Sequence, residues 1–318
     1  MNDTKLWIAL SRIEGVGIAS LKAIHEALSN LHLSLYDIVE LDPKAIAHET
    51  GLSIELSQLI AKIAVTIEKI ENEYEDLIDR NIEPVLFFDS RYPEKILKNV
   101  DYPPPVLYYM GNTDIIKTRK VAILSDHNAS ERGYHIAFHA AAIAAQHSVT
   151  VVSGLAKGPQ TMAHRGAVEA GGNTIAVLPM GMNALTIPDV LKDTVNMSQW
   201  LFISPFNPQE DYALHNSYKR NSLIAAMVDA LIIIETGNSA GSFEAAKTAC
   251  KYNTPLFVVE YAQYPQSASG NPVLIKEYRA TPLRGRIQND VLVPNMDACI
   301  AKIKWGDSNY TIIVDNHQ

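Results

Sequence analysis

Six short apolar runs recur between residues 120 and 260: KVAIL (120–124), VTVVS (149–153), NTIAVLP (173–179), WLFIS (200–204), ALIIIE (230–235) and PLFVVE (255–260). Helical patterns separate most of them: YHIAFHAAAIAAQ, the stretch from Met162 to Ala170, a short PDVLKDTV, SYKRNSLIAAMV and SFEAAKTACKY. Near-continuous apolar strands alternating with helices constrain the fold to an α/β class with a doubly wound, mostly parallel Rossmann-like sheet. Ligands of such sheets sit at the carboxyl ends of the strands, near the point where strand order reverses.

The first 80 residues read differently. LWIALSRI, SLKAIHEAL, LSLYDIVEL and the long LSQLIAKIAVTIEKIENEYEDLIDR all space their apolar residues as helices do. The expected organisation is an all-helical, helix-hairpin-helix or SAM-like domain over 1–80, a Rossmann domain over 81–290 and a short C-terminal tail over 291–318. PVLFF and VLYYM are further candidate strands, and YPEKILKNVDYPPP reads as a connector. With 318 residues, 47% of them hydrophobic, the chain can bury a large core. Its net charge of −8 excludes a protein that coats duplex DNA through its overall field, while leaving room for a local basic groove. Cys250 and Cys299 match no metal spacing and read as reduced, buried thiols. His135 and His139, four apart on an alanine-rich helix, lack a nearby carboxylate and read as no zinc site. No metal, cofactor, signal peptide or membrane span is expected, and the expected location is cytoplasmic.

Four loops follow the predicted strands and should converge on one sheet edge. The first is Ser125-Asp126-His127-Asn128-Ala129-Ser130, and the second is Ser153-Gly154-Leu155-Ala156-Lys157-Gly158. The third is Pro179-Met180-Gly181-Met182, and the fourth runs from Glu235 to Gly241-Ser242. Glycines allow close backbone approach, and helix N-termini present unpaired N–H groups that suit phosphate oxygens. Candidate phosphate contacts are Ser153, Gly154, Lys157, Gly158, His164, Gly241 and Ser242, with Ser125, His127 and Ser130 as further contacts in the first loop. Tyr218-Lys219-Arg220-Asn221 opens a predicted helix and brings the densest positive charge to this edge; Lys219 and Arg220 would hold phosphate and Asn221 a sugar or base. In the helical region, Gly15 and Gly17 form a G-x-G hairpin whose N–H groups can meet DNA phosphates without regard to sequence. A weaker copy lies at Thr50-Gly51-Leu52-Ser53. Glu14, Glu26, Glu49 and Glu55 make those surroundings acidic, so a protein-contact or structural role is an equal reading.

In order and spacing these residues resemble the DprA/Smf (DNA-processing protein A) family, within the wider LOG-like Rossmann superfamily. The resemblance rests on SGLAKG with Ala163-His164, Thr174 to Leu178, Arg220-Asn221 with Ile224-Ala225, Gly241-Ser242 with Ala246, and Ser269-Gly270-Asn271 with Leu274-Ile275. The lead-in from Tyr92-Pro93 through Pro104 to Leu107-Tyr108 and Gly111 also fits. It implies a helical domain followed by an extended Rossmann domain that binds single-stranded DNA, dimerises and helps load a RecA-type recombinase during natural transformation. It implies binding rather than catalytic turnover.

The chain departs from the family pattern at several points. The G-S-R loop is Ser125-Asp126-His127, the GID turn carries Pro159-Gln160, and the last arginine of RNR is Ser222. The family's F-P pair is Ser217-Tyr218. Charge-assisted contacts contribute about 1.5–3 kcal/mol each, so losing two arginines would weaken a phosphate groove substantially. The leading expectation is therefore a DprA-like single-strand binder. One alternative is a nucleotide sensor of the LOG type, and another is a protein-interaction paralogue whose groove has decayed. The hydrolase glutamate of LOG-type relatives falls on Ala245. Glu244 stands one residue early, about 100° around the helix, which argues against hydrolysis. A dinucleotide oxidoreductase is the weakest reading, because the first loop lacks G-x-G-x-x-G.

Overall fold

The structure, a computed structural model, describes residues 3–288 and 291–306. Six helices come first: α1 (Thr4–Ser11), α2 (Ile18–Leu31), α3 (Leu35–Ile38), α4 (Pro43–Thr50), α5 (Ile54–Ala61) and α6 (Ile63–Asp79). Their limits follow local chemistry. The Asp42 carboxylate accepts the N–H groups of Lys44 and Ala45 at the start of α4, Pro43 fills its first turn, and Gly51 ends it at φ 70°. On α2, Leu21, Ile24 and Leu28 turn one face inward. Ion pairs of Lys5 with Glu71 and Arg12 with Glu73 join α1 to α6.

A nine-stranded sheet follows, built from β1 (Glu83–Leu86), β2 (Val106–Gly111), β3 (Lys120–Leu124), β4 (Thr150–Ser153), β5 (Thr174–Val177), β6 (Trp200–Ser204), β7 (Ala230–Ile233), β8 (Leu256–Val259) and β9 (Thr281–Leu283). Their spatial order is β1-β2-β6-β5-β4-β3-β7-β8-β9. The seven strands from β6 to β9 are parallel, and β2 returns antiparallel to β6 and to β1. The expected α/β doubly wound, mostly parallel sheet is what the chain forms. The strand order reverses at β3, which pairs with β4 on one side and β7 on the other.

Between and after the strands run α7 (Glu94–Asn99), α8 (Glu131–Gln146), α9 (Pro159–Glu169), α10 (Leu214–Met227), α11 (Gly241–Lys251) and α12 (Asn271–Glu277). A hairpin of β10 (Gly285–Gln288) and β11 (Val291–Pro294) leads to α13 (Asp297–Trp305). The two sheet faces carry separate cores. One joins α1 and α2 to β2, α10 and α11, with Trp200 and Phe202 stacked inside it. The other holds α8, α9 and α13. Gly166 of α9 lies against α8 so closely that a Cβ there would stand 2.2 Å from the Phe138 carbonyl oxygen. The helical region is tied to the sheet: the Arg12 guanidinium donates to the Tyr108 hydroxyl on β2 at 3.3 Å, and His25 of α2 stacks on Phe88 just past β1 at 4.0 Å.

Three expectations need correction. The stretch expected as a short tail carries β11 and α13, because Cys299, Ile300 and Ile303 bury into the second core. PDVLKDTV forms only a single 3-10 turn at Asp189–Leu191. Helix α10 starts at Leu214 rather than near Ser217, which moves Arg220 from the helix start to its middle.

Candidate functional site

Loops one and four meet at the strand-order reversal. The Ser125 hydroxyl donates to the Glu235 carbonyl at 3.0 Å, and the Asp126 N–H donates to the same oxygen at 2.9 Å. The Asp126 carboxylate accepts the Gly237 N–H at 2.9 Å and the Ser242 hydroxyl. Burial pushes the Asp126 carboxyl above its ordinary range, and the bonds from Ser242 and Gly237 work against that rise. Glu235 is wholly buried just beyond β7. Its carboxylate accepts the Ser130 N–H at 2.8 Å and the hydroxyls of Ser130, Tyr261 and Ser267 at 2.5, 2.7 and 2.5 Å. Hydrogen bonds to neutral donors thus satisfy a carboxylate that forms no ion pair among the described residues.

The second loop is held from below. Gly158 sits at φ 112°, a conformation that disfavours any side chain, and Pro159 follows as the first residue of α9. Gln160 clasps two loops: its Oε1 accepts the Gly154 N–H at 3.1 Å, and its Nε2 donates to the Ser125 carbonyl at 2.9 Å. His164 is fully buried, with Nε2 3.0 Å from the Gly154 carbonyl oxygen and Nδ1 2.6 Å from the Thr174 hydroxyl. Burial is the main cause that lowers its pKa to about 4. Ser153 is also buried, and its hydroxyl donates to the Ile123 carbonyl at 2.6 Å.

Beside this loop lies Arg220. It is only 4% exposed, and one guanidinium nitrogen donates to the Val177 carbonyl at 3.0 Å. Gly154 makes room for it, since a Cβ there would lie 1.8 Å from that nitrogen. No carboxylate pairs with Arg220 among the described residues, and its Nε has no partner. Burial pulls its pKa down to about 10, so the guanidinium is still charged at neutral pH. Two more buried polar atoms on α10 are unpartnered, Oδ1 of Asn216 and Oδ1 of Asn221. Asn221 faces the fourth loop, where a Cβ on Gly241 would stand 3.2 Å from its Nδ2.

The remaining expected contacts divide by exposure. Lys157, Lys219 and His127 are exposed, and Tyr218 is 39% exposed on the same helix as Arg220. Gly15 and Gly17 lie in the exposed turn between α1 and α2, where a side chain on either would meet open space. Ser153 and His164 do not reach solvent, so their assignment as phosphate contacts is corrected: both fix the loop from behind, because their polar atoms are spent on Ile123, Gly154 and Thr174. Ser125, Ser130 and Ser242 likewise spend their hydroxyls on Glu235 or Asp126. Gln160, Glu235 and Asn216 escaped the sequence reading as site residues. Ala245 is buried, and the neighbouring Glu244 pairs with Lys247 at 3.0 Å. Among the described residues no group of three or more His, Cys, Asp or Glu could hold a metal ion.

The sequence model of the family described as DNA recombination-mediator protein A matches residues 83–292. The chain belongs to this family. DNA processing protein DprA of Streptococcus pneumoniae is 29% identical over 192 residues, covering 59% of this chain and 67% of that protein. Protein Smf of Synechocystis sp. is 26% identical over 278 residues, covering 85% of this chain and 67% of its own length. Among solved structures, DNA processing protein A from S. pneumoniae superposes with a TM-score of 0.69 at 24% identity, over 89% of this chain and 95% of that one. The corresponding protein from Helicobacter pylori, solved for its unique single-stranded DNA binding mode, gives 0.55 at 24% identity over 63% and 90%. These two likenesses show a shared fold.

Proposed function

We propose that this chain binds single-stranded DNA across the carboxyl edge of its sheet, as a DNA-processing protein in recombination. The observation that carries the reading is Arg220: a buried, charged guanidinium without a counter-ion, packed against the Gly154 turn. An uncompensated buried cation is costly, and an incoming phosphate lowers that cost. Family membership and the single-stranded DNA binding mode described for the H. pylori relative support the same reading. In this reading Lys157 and Lys219 contact the strand backbone, Arg220 supplies the field beneath it, Asn221 turns toward sugar or base, and Tyr218 stacks a base. Gly154, Gly158 and Gly241 bring backbone close to the strand. Asp126 occupies the donors of the fourth loop, which leaves the second loop and α10 as the main phosphate surface. Residues 1–80 would act as a helical module docked on the sheet, with Gly15 and Gly17 as an auxiliary backbone contact. A homodimer that assists a RecA-type recombinase in the cytoplasm completes the proposal.

The test is fluorescence anisotropy with labelled dT30 over a salt series, with duplex DNA and free nucleotides as competitors. Lys157→Ala with Lys219→Ala should weaken binding at least tenfold and flatten the salt slope by about 0.7 per lost phosphate contact. No binding of dT30 by the wild-type chain at low salt refutes the reading, and so does an unchanged slope in the double variant.

A further inference from the structure

A cavity of about 540 Å³ opens at the carboxyl ends of β8 and β9. It lies on the far side of β7 from the second loop, and none of the phosphate contacts proposed above lines it. Its floor is apolar, with Ile136, Val259 and Leu292. Its polar lining has a definite charge balance. Glu260 is paired with Arg284, so neither contributes a free charge. Arg132 has no ion-pair partner among the described residues. It sits in the first turn of α8, two residues past the capping Ser130, where the helix dipole is already positive. Arg132 is therefore the one unpaired charge among the described lining residues, while the buried Glu235 carboxylate sits behind the Tyr261 hydroxyl.

The cavity also offers rings. Tyr261 and Tyr264 meet edge to face, with centroids 6.0 Å apart at 69°. The Tyr261 hydroxyl is fixed by the Glu235 carboxylate at 2.7 Å, which locks that ring, and Tyr264 is only half-buried. A cation beside an ordered pair of aromatic rings over an apolar floor matches a ligand with a flat ring and an anionic group.

We propose that this cavity binds a nucleotide, its phosphate on Arg132 and its base against Tyr264. The unit arrives either as a free nucleoside monophosphate or as one residue of a bound strand; only the second source rests on the single-strand reading above. Glu235 links the two places physically, since it receives both Ser130 at the first loop and Tyr261 at the cavity.

The experiment has two arms, each on the full chain and its Arg132→Ala and Tyr264→Ala variants, with circular dichroism to verify folding. In the first, dTMP and AMP are titrated by calorimetry. Binding by the wild type that falls at least tenfold in Arg132→Ala supports a free nucleotide as occupant. In the second, dT30 carrying 5-iodouracil is photo-crosslinked and the adducts are located by peptide mass. An adduct on Tyr261–Tyr264, with dT30 affinity at least fivefold weaker in both variants, supports the strand. The proposal is overturned if neither mononucleotide binds and neither variant changes dT30 affinity or crosslinking while the Lys157/Lys219 double variant does. If the wild type fails to bind dT30, the single-strand reading falls instead and the mononucleotide arm alone decides: binding supports the cavity, and its absence overturns it.

Discussion

Acid should loosen the second loop through His164. The Gly154 carbonyl can only accept, so the imidazole Nε2 carries the proton and the Thr174 hydroxyl donates to Nδ1. That hydroxyl also lies 3.0 Å from the Val151 carbonyl, but it has one proton, and the neutral ring takes it. Burial holds the ring neutral, with a pKa of about 4. In the unfolded chain the same ring titrates near 6.5. As the pH falls the unfolded chain therefore takes up the proton first. The contribution of His164 to stability is complete above 6.5, declines between 6.5 and about 4, and is flat below. At about 1.4 kcal/mol per pH unit, the whole interval is worth about 3 kcal/mol, of which about 2 kcal/mol is lost by pH 5. Urea unfolding followed by tryptophan fluorescence at pH 7.5, 6.5, 5.5 and 5.0 measures the loss. Other groups titrate over this range too, so the readout is a difference: His164→Gln should lose about 2 kcal/mol less than the wild type between pH 7.5 and 5. Parallel slopes for the two proteins would refute the argument. If the variant does not fold, the wild-type imidazole resonances serve as well, and a ring that protonates near pH 6.5 in the native state refutes it equally.

Two further outcomes follow from the packing. Gly166→Ala would drive a methyl against the Phe138 carbonyl oxygen, 2.2 Å from the ideal Cβ, and should cost about 1–3 kcal/mol by calorimetry; an unchanged Tm contradicts the close α8–α9 packing. Asp126 acts with the opposite sign to His164: its carboxyl is raised by burial, so the native chain holds that proton more tightly and stability drops as pH rises through the interval just above 3.8. Asp126→Asn should remove that drop above pH 3.8, and a variant with the wild-type pH profile would show that the carboxylate is not desolvated.

The framework of the fold was legible because buried parallel strands leave a local mark. ALIIIE and WLFIS are apolar without interruption, and β7 and β6 form within them. The helix after the second loop was legible too, but its reading from Met162 began three residues late, because α9 starts at Pro159 directly after Gly158. The wiring of the loops left no such mark. Asp126 reaches Ser242 across 116 residues, and Glu235 reaches Ser130 across 105. In sequence, Asp126 and Gln160 read only as departures from the family pattern. Folded, they are the clasps that join loops one, two and four. The burial of His164 and Ser153 left no mark either, because their partners Thr174 and Ile123 come from neighbouring strands. Residues 291–305 were misjudged because β11 is only four residues long and α13 is mixed in polarity, and α13 gains its burial only against the completed sheet.

The placement of β3 between β4 and β7 also sets an order of assembly. Strands β3 to β6 pair within a single span from Lys120 to Ser204, each neighbour close in sequence. The β3–β7 pairing must wait until Ala230 to Ile233 has been made and brought back across more than the whole of that span. Closing so long a loop costs little more free energy than closing a shorter one, but it slows the search. A chain growing from its N-terminus presents the earlier strands before β7 has been made. At that stage Asp126 has neither Gly237 nor Ser242, and Ser130 has no Glu235. Arg220, carried on the helix just ahead of β7, docks at the same late step. Binding competence is thereby a property of the finished polypeptide: a chain ending at β6 carries the second loop but lacks Arg220, Glu235 and the fourth loop that complete the edge.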